Sequence, residues 1–199
     1  VTPLQRLGMG VLFLLVPVRF APTEVTGPFG PVVVFFDGLP NPVGWALVIW
    51  GLLALPAAFP RRQELLAGAL VSLAVSVPLW FPDVQEVTIL TPELGWVASL
   101  PQGLTLLLLC LALLAAPANG FCDDLPPGRR FPDFGLRATA IALGVSLAAP
   151  PLIFGGGLTV LALPADAAVS LGLIYLIWTL FRLHRYVPGA VAPERSTSG

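Results

Sequence analysis

The chain has 199 residues, of which 56% are hydrophobic and 11% charged, with a formal net charge of -1. An ordinary soluble domain carries about 25% charged residues. The composition therefore excludes a disordered chain, a disulfide scaffold and a soluble globular domain, and leaves an integral membrane protein embedded in a lipid bilayer.

All ten basic residues other than His184 are arginines, a bias that fits GC-rich codon usage and a bacterial inner membrane. With no basic excess, nucleic acid is not expected as a partner. Two cysteines, Cys110 and Cys122, do not make a disulfide framework, and one histidine excludes a histidine-rich metal site.

Six apolar runs follow one another: Leu7 to Phe20, Val43 to Phe59, Leu65 to Phe81, Val97 to Pro117, Leu136 to Phe154 and Ala167 to Leu183. A spanning helix needs about 20 such residues, and these runs are somewhat short for it. The first run follows Arg6 and imitates a signal peptide. Arg19 would occupy a cleavage position that wants a small residue, so the run reads as a retained helix. The fifth run is expected to close at Pro150-Pro151 and the glycines 155–157, and Asp166 is expected to open the sixth helix. The predicted fold is an all-α polytopic domain over 1–187, with six transmembrane helices arranged as three hairpins and short β-like outer loops. Residues 188–199 are expected to be a disordered cytoplasmic tail.

The arginines set an orientation. With both termini in the cytoplasm, nine of the ten arginines fall inside and only Arg19 outside, as the positive-inside rule asks for short loops. Trp45, Trp80 and Trp96 are expected at the headgroup level, where an amphipathic ring is well placed. Trp50 and Trp178 read as packing bulk or lipid-facing side chains.

The outer ends of runs one, three and five share a proline followed three residues later by phenylalanine: Pro17 and Phe20, Pro78 and Phe81, Pro151 and Phe154. Each is followed by a β-like stretch (Val32 to Phe36, Val87 to Leu90, Leu158 to Leu163) and another proline, Pro40, Pro92 or Pro164. This suggests three related hairpins over 4–62, 63–121 and 134–187, the first carrying an insertion near Thr26 to Pro31.

Buried charge, the usual mark of a proton relay, is nearly absent from the runs. Their polar residues include Ser72, Ser76, Ser99, Gln102, Thr105, Thr139, Ser146 and Thr179. The bland reading is hydrogen bonding between helices or to the preceding turn, worth about 0.6 kcal/mol each. The sharper one is a polar path along Ser76, Ser99, Gln102 and Ser146. Outside the runs, Asp37, Asp83, Glu86, Glu93 and Asp166 could converge on a divalent cation through hard oxygen ligands; their ordinary role is to meet helix N-termini. Cys122-Asp123-Asp124 with Arg129-Arg130 could hold Mg²⁺ and phosphate, but reads as a solvated loop.

No catalytic set, cofactor motif or metal motif is present in the pattern. The expected function is therefore an accessory, scaffold or structural membrane component, with other membrane subunits or self-association as partners. A passive small-solute or lipid transporter is the alternative, and a metal-dependent membrane enzyme comes third. A continuous polar cavity would favour transport, and a solid leucine core would oppose it.

Overall fold

The computed structural model describes residues 1–16, 19–27, 30–37, 41–81, 84, 87, 91–121, 131–156, 160 and 162–184, with 19–27 and 30–37 as backbone. In chain order these form α1 (Pro3–Leu15), β1 (Arg19–Gly27), β2 (Gly30–Asp37), α2 (Asn41–Leu53), α3 (Arg62–Leu79), α4 (Pro92–Ala115), a 3-10 turn (Pro117–Asn119), α5 (Asp133–Gly156) and α6 (Ala162–Leu183). Each helix packs against its sequence neighbour, and α6 returns to α1, so the six helices close a ring.

The six-span expectation is overturned. Among the described residues, four segments are long and apolar enough to cross a membrane: Arg62–Leu79, Glu93–Ala115, Asp133–Pro151 and Leu163–Leu183. The helices α1 and α2 have only 13 residues each, about 20 Å of rise against a hydrocarbon core of about 30 Å. The chain is thus a multi-span helical membrane protein with two shorter apolar helices beside its four long ones.

Local chemistry explains the shortening. A capping box starts α1: Thr2 Oγ1 accepts from the Gln5 amide at 3.4 Å, and Gln5 Oε1 accepts from the Thr2 amide at 2.9 Å, with Pro3 at the first helical position. The second apolar run continues to Phe59, but α2 stops at Leu53 because Pro56 opposes a helical predecessor. Arg62 then seals that end. Its Nε donates to the Leu52 carbonyl and its Nη2 to the Leu53 carbonyl, each at 3.0 Å.

The β-like loops are also corrected. β1 and β2 pair antiparallel, from Arg19 opposite Asp37 to Gly27 opposite Gly30, with a register shift between Phe20 and Thr23 where Pro22 cannot donate to the ladder. The expected insertion near Thr26 to Pro31 is the closed end of this pair. In the second and third expected loops the described residues are helical instead: Val84 and Val87 in one, the single 3-10 residue Val160 and the start of α6 in the other. Short apolar runs do not separate strand from helix by pattern alone.

Two boundaries move with this. α6 begins four residues before Asp166, and Pro164 is tolerated in its first turn, where amides lack helical acceptors. α5 runs through Pro150 and Pro151 to Gly156 rather than closing at them. Packing is most extensive within the first and third expected hairpins, α1 with α2 and α5 with α6, while α3 meets α4 less extensively than α4 meets α5. The 188–199 tail lies outside the described residues.

Small residues set the closest approaches. A Cβ on Gly10 would meet the Gly44 carbonyl at 2.7 Å, so α1 and α2 touch backbone to backbone there. A Cβ on Gly68 would meet Thr105 Oγ1 at 2.5 Å, which brings α3 against α4.

Five of the six described arginines, Arg6, Arg61, Arg62, Arg137 and Arg182, lie at one end of the ring, where α1, α3 and α5 begin and α6 ends, and Arg19 opens β1. This is the arginine end; the β1–β2 pair marks the opposite, hairpin end. Two arginines stack on tryptophans: the Arg6 guanidinium lies 4.1 Å from the Trp50 ring centroid and that of Arg182 lies 4.9 Å from Trp178. The buried core occupies mainly the arginine-end half of the ring, with Leu4, Leu7, Leu52, Leu65, Leu109, Leu113, Leu136, Leu176 and Leu180 in one cluster.

Candidate binding cavity

The hairpin-end halves of α4, α5 and α6 do not fill the space between them. A cavity of about 390 Å³ remains, lined by Trp96, Ser99 and Gln102 of α4, by Ser146, Leu147 and Pro150 of α5, and by Val169 of α6. Its α6 wall continues through Leu173 into buried Leu176 and Leu180, while Ser99 is exposed. Three leucines form its floor: Leu106, Leu143 and Leu173, which are 7%, 2% and 9% exposed. Below them lies the buried apolar cluster with Leu109, Leu113, Leu136, Leu176 and Leu180.

The prolines of α5 shape the wall. A proline has no amide hydrogen, so the carbonyl four residues earlier loses its helical donor. Pro150 frees the Ser146 carbonyl in this way, and Pro151 frees that of Leu147. The Trp96 indole donates to the Leu147 carbonyl at 3.1 Å and so satisfies one of the two. Trp96 thus ties α4 to α5. Trp45 departs from the interfacial expectation: it is wholly buried, and its indole nitrogen has no hydrogen-bond partner among the described residues.

Three of the four residues of the predicted polar path, Ser99, Gln102 and Ser146, line this cavity. Ser76 does not join them. It is fully buried on α3 and its hydroxyl donates to the Leu73 carbonyl at 2.8 Å. Ser99 donates to the Trp96 carbonyl at 2.7 Å. The Gln102 amide and the Ser146 hydroxyl have no hydrogen bond among the described residues. Both stand near the middle of their 24-residue helices.

Most other buried hydroxyls are engaged as helix ties. Ser72 Oγ donates to the Gly68 carbonyl at 2.8 Å and lies 3.3 Å from Thr105 Oγ1, which itself donates to the Pro101 carbonyl at 2.7 Å. Thr139 Oγ1 is shared between the Gly135 carbonyl at 2.9 Å and the Gly172 carbonyl of α6 at 3.3 Å. Thr179 is the exception, buried without a partner for its hydroxyl.

The candidate cation ligands are not gathered among the described residues, where no group of three His, Cys, Asp or Glu side chains comes together. Glu93 and Asp166 are exposed on α4 and α6. Asp37 ends the backbone of β2, and Asp83 and Glu86 lie outside the described residues, as do Cys122, Asp123, Asp124, Arg129 and Arg130. Cys110 is a free, buried thiol in the core.

The signal that locates the cavity in the sequence is the Pro150-Pro151 pair, which guarantees two freed carbonyls at 146 and 147. Its partner Trp96 lies 51 residues away and carries no local mark of the pairing. No protein-family model, curated protein or solved structure matches the chain.

Proposed function

We propose that the chain is a non-catalytic component of a bacterial inner membrane, an accessory or scaffold subunit whose arginine end faces the cytoplasm. The observation that carries this reading is the leucine floor. Leu106, Leu143 and Leu173 separate the cavity from an apolar core that fills the other half of the ring. A solute path needs polar groups or water along its whole length; here Ser72, Thr105 and Thr139 sit in helix contacts, and of the buried hydroxyls only that of Thr179 is left without a partner among the described residues. The arginine distribution supports the orientation through the positive-inside rule.

Two measurements test the proposal. In proteoliposomes, efflux of glycerol and urea should equal that of empty liposomes. Cross-linking in native membranes should hold the chain in a stoichiometric complex. A chain that stays a monomer and passes solute sinks the scaffold reading and leaves the transporter. A second reading, a lipid-handling protein, is favoured by the amphiphilic cavity itself, since concave sites lined mostly by apolar side chains with a few polar groups are the usual form of ligand sites.

A further inference from the structure

We infer that the cavity between α4, α5 and α6 is a binding site for a neutral membrane-soluble amphiphile, one with a hydroxyl or carbonyl head and an apolar tail. The first argument is unmet hydrogen bonding. Gln102 offers two donors and an acceptor and Ser146 offers a hydroxyl, and neither side chain has a partner among the described residues. The Ser146 carbonyl, deprived of its helical donor by Pro150, adds an acceptor beside them. Unsatisfied polar groups in hydrocarbon are costly, so a ligand that meets them is favoured.

The second argument is the character of the walls. Among the described residues, no charged side chain lines the cavity. A phosphate, carboxylate or ammonium head would lose its hydration without gaining a counter-charge. A neutral head keeps its hydrogen bonds by exchanging water for Gln102 and Ser146. The apolar tail then lies along Leu147, Val169 and Leu173.

Depth is the third argument. The ester region of an ordinary bilayer lipid stays at the interface, about half the bilayer thickness from the middle. A head that meets Gln102 has to enter the membrane interior, which a neutral group does far more readily than a charged one. The volume of about 390 Å³ falls inside the usual range for small-ligand pockets, about 300–1,000 Å³. This site does not depend on the scaffold role: a chain without a partner subunit, or one that passes solute, would carry the same cavity.

The test uses the full chain in lipid nanodiscs. The probe is hexadecanol bearing a photoreactive diazirine on its chain, compared with the equally labelled palmitate at pH 8. Labelled residues are mapped by peptide mass spectrometry in the unaltered chain, in Gln102→Leu and in Ser146→Ala. The expected result is alcohol labelling that concentrates on 99–106 and 143–150, is displaced by unlabelled hexadecanol, and exceeds palmitate labelling there. Each substitution should lower it about fivefold, the effect of one lost hydrogen bond. Labelling of the lipid-facing residues Leu70, Leu171 and Ile174 should not change with either substitution. Equal labelling by palmitate, labelling that does not saturate, or unchanged labelling in both variants overturns the proposal.

Discussion

The indole Nε1 of Trp96 lies 3.1 Å from the carbonyl oxygen of Leu147, the oxygen that Pro151 leaves without a helical donor. The bond joins α4 to α5 at the rim of the cavity, and it is needed only because of the proline. Trp96→Phe should therefore destabilise the chain by about 1 kcal/mol. In a Pro151→Ala background, residue 151 regains an amide that can serve Leu147, and the same Trp96→Phe change should cost about half as much. A thermal-melt double-mutant cycle in micelles reads this directly. Strictly additive costs would show that the bond does not couple to the proline.

The two close helix contacts should respond differently to an added methyl group. At Gly10 the obstacle is backbone, the Gly44 carbonyl at 2.7 Å, while at Gly68 it is the Thr105 side chain. Gly10→Ala should cost about 2–3 kcal/mol because helix axes must part, and Gly68→Ala about 1–2 kcal/mol. Thr105→Ala should rescue part of the Gly68→Ala loss and none of the Gly10→Ala loss. Unfolding midpoints of the three single variants and the two double variants decide the ranking.

Arg62 closes the end of α2 by donating to two carbonyls at once. Arg62→Leu removes both bonds and should destabilise by about 1–2 kcal/mol. Arg62→Lys, a single point donor in place of a fork, should recover only part of this. Hydrogen exchange of the turn amides at Ala54 and Leu55, which bond to the Trp50 and Leu52 carbonyls, should speed up in Arg62→Leu. Unchanged protection there would mean that the turn holds α2 without the arginine.

Reporter fusions test the orientation. A reporter placed at Gln63 or at Pro127 should give a cytoplasmic signal, since Arg61 and Arg62 stand just before the first and Arg129 and Arg130 just after the second, where the positive-inside rule retains them. A periplasmic signal at either position reverses the assignment of the arginine end.

Much of the long-helix framework is legible in the sequence, because a spanning segment announces itself through uninterrupted apolar length. The early end of α2 was legible too, in Pro56, but the apolar run to Phe59 masks it. What the sequence could not show was rotation. α3 carries apolar residues on every side, so its pattern does not say which way Ser76 faces, and Ser76 turns out to be buried with its own Leu73 carbonyl rather than beside Gln102. In α4 the same lack of amphipathicity hid that Ser99 and Gln102 share an inward face with Leu106. The outer segments failed for another reason. Val87, Val160 and Leu163 have strand-like neighbours, yet all three are helical, because short apolar stretches are settled by what they pack against.

The ring is uneven in height. On one side stand α1 and α2 with 13 residues each, and on the other α4 and α5 with 24 each, so the walls differ by about 16 Å along the axis. A bilayer cannot match both walls at one thickness. Lipids beside α1 and α2 must shorten or tilt, and the cost is a fraction of a kcal/mol for each ångström of mismatch. The chain therefore imposes a thickness gradient on the lipids around it, and it should gather in thin, short-chain regions of a mixed membrane with its low wall turned toward them.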